Sequence, residues 1–240
     1  MIISDRYRYV FVELPRTGST AVRQELRELY DGRPVLDKHA TYGEFLRIAR
    51  PEQRRYFVFS AIRNPLDDAV SRYFKLKTDH KQRFTGRQGR HKRLVNRIID
   101  ERMYRYLERT NADFPTFFLH FYRLPYDTWA SLDHERFDYV MRFERLAEDF
   151  ETVLRTIGIE PQRPLPIVNR TSGRDRNFAV YYPPETWQRA RRVFGPYMER
   201  WGYEFPAEWN LEPPSTLHRA EYRLFSALAG VYWRLIRPRI

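Results

Sequence analysis

Short apolar runs alternate along the chain with stretches of helical period. Val10, Phe11, Val12 and Leu14 form the first run and suit a buried strand. Pro15 to Thr20 follow as a loop of small, polar and cationic residues. Ala21, Val22, Leu26, Leu29 and Tyr30 then recur at helical spacing. Val35 and Leu36, after the turn marked by Gly32 and Pro34, predict a short second strand. Thr41 and Glu44 have the spacing of a capping box and predict a helix start between them. Tyr56–Ile62 is the strongest strand pattern in the chain. Asn64 is a favourable N-cap after it and Pro65 a favourable first helical residue. Leu66, Ala69, Val70, Tyr73 and Phe74 would line one face of that helix.

Further on, residues 98–109 predict a helix and Thr116–Tyr122 an aromatic core segment. Phe137–Phe143 predicts another strand. Glu144–Ile157 predicts a helix whose stripe is Leu146, Phe150, Val153, Leu154 and Ile157, with Gly158 at its C-terminal end. Glu185–Trp201 reads as a helix with a bend at Gly195-Pro196. Strands that alternate with helices predict an α/β fold with a central, mostly parallel sheet flanked by helices. Pro213-Pro214 separates a last segment, in which Leu217, Leu224, Leu228, Val231 and Leu235 make an apolar stripe beside Arg219, Arg223, Arg234 and Arg237. The expected organisation is one domain over 1–209 and an amphipathic basic helix over 210–240. That helix can cap its own domain, pair with another subunit or lie on an anionic membrane.

Composition narrows the function. A hydrophobic content of 42% and an aromatic content of 16% over 240 residues support a folded core. The net charge of +12 fits an anionic partner: a nucleotide, a nucleic acid, an acidic glycan or a lipid headgroup. Cations crowd residues 75–97, from Lys75 and Lys77 to Arg93 and Arg97, around Gly86 and Gly89, and predict a basic loop or lid that faces an anion. The absence of cysteine excludes disulfides, thiol catalysis and cysteine–zinc sites, and suits a reducing compartment. No His, Asp or Glu cluster has metal-ligand spacing, so no metal is expected. The N-terminal residues show no hydrophobic signal segment, and the longest nearly apolar run, Leu224–Trp233, is too short to span a bilayer. A cytoplasmic protein is expected, with peripheral membrane contact through its last helix as a further option.

Two stretches carry candidate chemistry. The strand, loop and helix over 9–26 would point backbone N–H groups and the positive end of a helix dipole at one spot. Arg16 adds a charge there, and Thr17, Ser19 and Thr20 add hydroxyls. Arg63 sits at a second helix N-terminus, with Ser71 two turns into that helix. The first loop is not a Walker A motif, because it lacks the Gly-Lys-Ser/Thr ending and has Gly18 alone. Among six histidines, His39 is the best placed base. It follows a short strand and lies just outside a helix start, on the edge where open α/β sheets bind ligands. Glu44 is the fallback base. His80 and His91 lie in the basic segment, and His120, His134 and His218 read as structural.

With these residues in place, the sequence resembles the sulfotransferases that use 3′-phosphoadenosine 5′-phosphosulfate (PAPS), in their carbohydrate or type-2 branch. Leu14-Pro-Arg-Thr-Gly-Ser-Thr20 resembles the family's 5′-phosphosulfate loop. Phe59-Ser-Ala-Ile-Arg-Asn-Pro65, with Ser71 and Tyr73, resembles its 3′-phosphate motif. Phe143-Glu-Arg-Leu-Ala-Glu-Asp-Phe150 and Arg200-Trp-Gly-Tyr203 are similar to later stretches. The resemblance implies a P-loop-like three-layer fold and transfer of a sulfuryl group from PAPS to an acceptor hydroxyl, on a carbohydrate or glycoconjugate. It implies that Arg16, Thr17, Gly18, Ser19 and Thr20 hold the 5′-phosphosulfate, that Arg63 and Ser71 hold the 3′-phosphate, and that Thr171, Ser172 and Arg174 close over the nucleotide. The stretch His39-Ala-Thr-Tyr-Gly-Glu44 is similar to one that supplies the histidine base of heparan sulfate 2-O- and 6-O-sulfotransferases. Where the family loop often carries Lys, this chain has Arg16. Its pKa is too high for proton donation, so its role would be electrostatic. Two other classes compete: a P-loop-like nucleotide kinase, which the missing Walker lysine disfavours, and a non-enzymatic basic nucleic-acid-binding protein, supported by charge and tyrosines. Nucleic acid is not the main reading. A catalytically dead homologue shares every one of these features.

Overall fold

The computed structural model of the chain describes residues 1–80, 82, 84–86, 94–128, 130–166 and 173–236. Its residues fall into two compact units, one of 1–64, 127–170 and 223–240 and one of 65–126 and 171–222.

The first unit is α/β. Its strands are β1 (Ile2–Ser4), β2 (Tyr9–Phe11), β3 (Arg33–Pro34), β4 (Phe57–Ile62) and β5 (Tyr139–Arg142), in the spatial order β3-β1-β2-β4-β5. β2, β4 and β5 are parallel neighbours, with Tyr9 opposite Phe57 and Phe59 opposite Tyr139. β1 is antiparallel to both β2 and β3, so β3 points the same way as the parallel strands and β1 alone is reversed. β1 has no counterpart in the sequence pattern, because Ile2 and Ile3 make too short a run to stand out. It is a strand because it has a partner on each side. β3 lies two residues before the expected pair Val35-Leu36. The Val35 N–H still donates to the Met1 carbonyl at 3.1 Å, and Leu36, at φ 60°, ends the extended run.

Helices cover both faces of this sheet. On one side Ile2, Tyr9, Phe11, Phe59 and Met141 pack with α1 (Ser19–Leu29) and α7 (Leu146–Thr156), through Val22, Leu26, Phe150, Val153 and Leu154. On the other, Ile3, Val10, Val12 and Val58 pack with Tyr42 and Phe45 of α2 (Tyr42–Ile48). Burial on both faces is why Val10 to Val12 read as a continuous apolar run. The capping box starts α2 as the sequence predicts: the Glu44 N–H donates to Thr41 Oγ1, and the Thr41 N–H donates to the Glu44 carboxylate. α7 begins two residues later than expected, because Phe143–Arg145 form a 3-10 turn first. A short helix, α6 (Ala130–Asp133), leads into a 3-10 turn with His134.

His134 locks two parallel strands. The Ser60 hydroxyl on β4 donates to the Val12 carbonyl at 2.6 Å, so the imidazole, with Nε2 at 2.8 Å from Ser60 Oγ, must donate in turn. Complete burial pushes His134 down to about 3.

The second unit is helical: α3 (Pro65–Lys77), α4 (Leu94–Thr110), α5 (Phe114–Phe121) and α8 (Pro184–Trp201). Its core is aromatic, with Tyr73, Phe114, Phe117, Phe118, Tyr182, Phe194 and Trp209 buried together. Leu66, Ala69, Val70 and Tyr73 of the predicted α3 face are among its buried residues. α8 continues through Gly195-Pro196. A Cβ on Gly195 would lie 2.6 Å from the Pro214 ring. α9 (Thr216–Val231) carries the chain back into the first unit, where the π-helical turn Tyr232–Ile236 follows.

At the start of α1 the Leu146 side chain of α7 stands where a Cβ at residue 18 would lie. Gly18 has φ 75°, and a Cβ there would sit 2.3 Å from Leu146 Cδ2. Gly18→Ala is expected to cost about 2–4 kcal/mol, from left-handed strain plus overpacking. In a Leu146→Ala background the penalty should shrink to about 1 kcal/mol, read by urea denaturation of the double-mutant cycle. Equal penalties in both backgrounds would show that Leu146 is not the obstacle.

His134 also predicts a pH response. Its folded pKa lies near 3, against the ordinary histidine value of 6.5, so the unfolded chain binds this proton first as pH falls. The stability it contributes is complete above about pH 6.5 and is lost progressively towards pH 3. Denaturation curves of His134→Gln between pH 7 and 4 should therefore show a lower starting stability and a flatter loss. A slope identical to wild type would contradict this.

Candidate active site

Beyond β2 the chain turns through two left-handed residues, Arg16 at φ 67° and Gly18 at φ 75°, before α1 begins at Ser19. The left-handed conformation costs a non-glycine residue roughly 1–2 kcal/mol, so Arg16 has to be held in place. Two contacts hold it. Thr17 Oγ1 donates to the Leu14 carbonyl at 2.9 Å and closes the loop from inside. Arg63, at the end of β4, donates from Nη1 to the Arg16 carbonyl at 3.1 Å and lies over the Phe143 ring, 4.1 Å from its centroid. Gly18 offers α1 no side-chain cap, and the Ala21 N–H turns back to the Gly18 carbonyl at 3.0 Å, so the Ser19 and Thr20 N–H groups and the helix dipole form the kind of helix start that suits an anion.

The stretch Phe143–Asp149 supports both the 15–20 loop and the Arg63 turn. Phe143 underlies Arg63, and Leu146 fills the space beside Gly18. Glu144 Oε1 accepts the Asn64 N–H at 2.7 Å, and Asp149 Oδ2 accepts the Arg142 N–H at 2.6 Å. This gives the similarity at Phe143–Phe150 a structural meaning.

The loop before α2 brings two more groups to the start of α1. Lys38 Nζ donates to Thr20 Oγ1 at 2.9 Å, which puts an ammonium beside the helix N-terminus. His39 Nδ1 lies 2.9 Å from the Glu13 carbonyl. A carbonyl can only accept, so Nδ1 carries the proton and the lone pair of the neutral imidazole is on Nε2. Burial lowers the His39 pKa, and the hydrogen bond to Glu13 opposes that in part. Glu13 also anchors this loop by its side chain. The carboxylate is buried and accepts from the Met1 ammonium and from Arg23, each at 2.6 Å. The same ammonium donates to the Asp37 and Lys38 carbonyls at 3.2 Å.

Lys38 and Glu13 were not singled out in the sequence, although each left a signal. Glu13 is an acid inside an apolar strand run, and Lys38 adjoins the candidate base. The fallback base, Glu44, is engaged in the α2 capping box with Thr41. Of the remaining histidines, His120 stacks on Tyr106 at 4.4 Å and His134 is the buried strand lock.

Ser71 and Arg174 belong to the second unit. Ser71 is fully buried on α3. Arg174 forms a nearly buried ion pair with Asp67 at 2.6 Å and donates to the Asp67 carbonyl at 3.3 Å. Thr171, Ser172, His91 and Lys81, Arg83, Arg87, Arg90, Lys92 and Arg93 of the basic stretch lie outside the described residues. The assignment of Ser71, Thr171, Ser172 and Arg174 to a donor rests on the sequence resemblance.

The comparisons bear on the family of the chain. No curated protein matches the chain, and no solved structure does. The model of the sulfotransferase family Sulfotransfer_2 matches residues 1–204, which include the loop at 15–20, Lys38, His39, Arg63 and the supporting stretch at 143–149. The chain belongs to the sulfotransferase family.

Proposed function

We propose that this sulfotransferase moves a sulfuryl group from PAPS to the hydroxyl of a carbohydrate or glycoconjugate, with His39 as the base. The observation that carries the reading is the pairing of an oriented imidazole with a cationic helix start: the Nδ1–H of His39 is held by the Glu13 carbonyl, while the next residue, Lys38, reaches Thr20. The parallel strands β2, β4 and β5, with helices on both faces, support a P-loop-like three-layer fold. The net charge and the cations of residues 75–97 support an acidic glycan as acceptor, and the cysteine-free composition supports a reducing compartment.

The donor set fits a phosphosulfate: an uncapped helix start, hydroxyls and two cations of different chemistry. Bound PAPS would supply the sulfuryl group and leave as the 3′,5′-bisphosphate, PAP. His39 Nε2 takes the acceptor proton as the acceptor oxygen bonds to sulfur. The electron pair of the broken S–O bond stays on the departing phosphate oxygen, and the α1 N–H groups, Arg16 and Lys38 stabilise the charge there. Arg16 contributes charge without proton donation. Lys38 supplies the ammonium that the family loop often carries at the position of Arg16. Arg63 answers the 3′-phosphate, the group that separates PAPS from ATP.

Calorimetry and thermal shift with PAP, ADP and ATP test the donor, because a ligand of the folded state raises the melting temperature. PAP should stabilise selectively, and Arg63→Ala should weaken PAP more than ADP. Lys38→Ala should weaken PAP about tenfold, with partial recovery in Lys38→Arg. Transfer of radiolabelled sulfate from PAPS to a glycan panel tests the base: His39→Ala should keep PAP affinity and lose roughly 10²–10⁴ in turnover. Because burial lowers the His39 pKa, the wild-type rate should fall on the acid side through a midpoint below the ordinary histidine value. Turnover that survives in His39→Ala would remove it as base. Equal stabilisation by ADP or ATP would favour a kinase. DNA or RNA binding with a steep salt slope and no response to PAP would favour a nucleic-acid module.

A further inference from the structure

We propose that the outer face of α9 and the turn that follows it, formed by Leu224, Ala227, Leu228, Val231 and Tyr232, docks on an anionic lipid leaflet. Leu224, Ala227, Leu228 and Val231 stand at i, i+3, i+4 and i+7, the spacing of one helical face. The face points to solvent: Leu224 is 60% exposed, Leu228 56% and Val231 50%, with Tyr232 next to them at 37%. One flank of the segment is seated on its own unit, where Ala227, Gly230, Val231 and Arg234 border Ser131 and Leu132. Arg234 Nη2 donates to the Leu132 carbonyl at 2.8 Å, and Arg47 Nη2 donates to the Arg234 carbonyl at 3.0 Å. Gly230 faces Leu132, whose Cδ2 would lie 3.9 Å from an added Cβ. Leu224 and Leu228 stay outward beside that contact.

Charge identifies the occupant. From Tyr222 to Ile240 the sequence contains Arg223, Arg234, Arg237 and Arg239 and no Asp or Glu. Arg223, Arg234 and the neighbouring Arg47 are exposed. A second copy of this segment would bring the same arginines without an acid to match them. Arg234 pairs with Asp133 of its own unit at 3.6 Å, whereas a leaflet of anionic headgroups would match the exposed Arg223 and Arg47, while its acyl boundary takes the Leu and Val side chains. Tyr232 and Trp233, with apolar rings and polar edges, suit headgroup depth. No helix among the described residues is long and apolar enough to cross a membrane, so the segment would lie in the plane of the surface.

Co-sedimentation of the full chain with vesicles tests this. Binding is expected to vesicles of phosphatidylcholine with roughly 30 mol% phosphatidylglycerol, weakened by high salt, and not to phosphatidylcholine alone. The Leu224→Glu, Leu228→Glu double variant should bind at least about tenfold more weakly. Its circular dichroism and its response to PAP should stay unchanged, which keeps this test separate from the catalytic reading. As a check that needs no change to the face, brominated phosphatidylglycerol should quench wild-type tryptophan fluorescence, and Trp233→Phe should lose most of that quenching. Undiminished binding by the double variant, or no binding of wild type to anionic vesicles, overturns the proposal. A wild-type dimer by light scattering that the double variant dissolves, without vesicle binding, would assign the face to a second copy instead.

Discussion

The volume beside residue 18 is already occupied by Leu146, and the candidate site depends on that contact. A glycine, free to adopt φ 75° without meeting the Leu146 side chain, lets the chain turn into α1 with no displacement of that side chain. That turn sets the start of α1, where Lys38 reaches Thr20 and Arg63 reaches the Arg16 carbonyl. The strained φ of Arg16 belongs to the same device. It persists because Arg63 grips the Arg16 carbonyl and Thr17 grips Leu14.

A buried charge supports the other half of the site. The Glu13 carboxylate sits fully inside the protein, and such a group is tolerated only when paired and hydrogen-bonded. Its partners are the Met1 ammonium and Arg23, and through that ammonium it fixes the carbonyls of Asp37 and Lys38. The Glu13 main-chain carbonyl then sets the His39 tautomer. One residue at the end of β2 thus orients the loop and its imidazole. Burial and the nearby Lys38 charge both favour neutral His39, which is the form a base requires.

Much of this was legible along the chain. The runs at Val10–Leu14 and Tyr56–Ile62 announced two buried strands, Thr41 and Glu44 announced the start of α2, and Pro65 the start of α3. Those signals are local: burial on both faces, cap hydrogen bonds and the fixed φ of proline depend on a few neighbouring residues. β1 was illegible for the opposite reason. It has three residues, and only pairing with β2 and β3 makes it a strand.

The sequence by itself determined the alternating strand and helix pattern, the short loop of small, polar and cationic residues at 15–20, the second cationic helix start at Arg63 and the candidacy of His39, since each follows from residue type and short-range spacing. Only the tertiary structure decided that Lys38 stands at Thr20, that Glu13 anchors His39, that Phe143–Asp149 supports both loops, and that the apolar stripe of α9 faces outward. Those relations join residues far apart in sequence, and side-chain direction after chain reversal is set by packing, which no local pattern encodes.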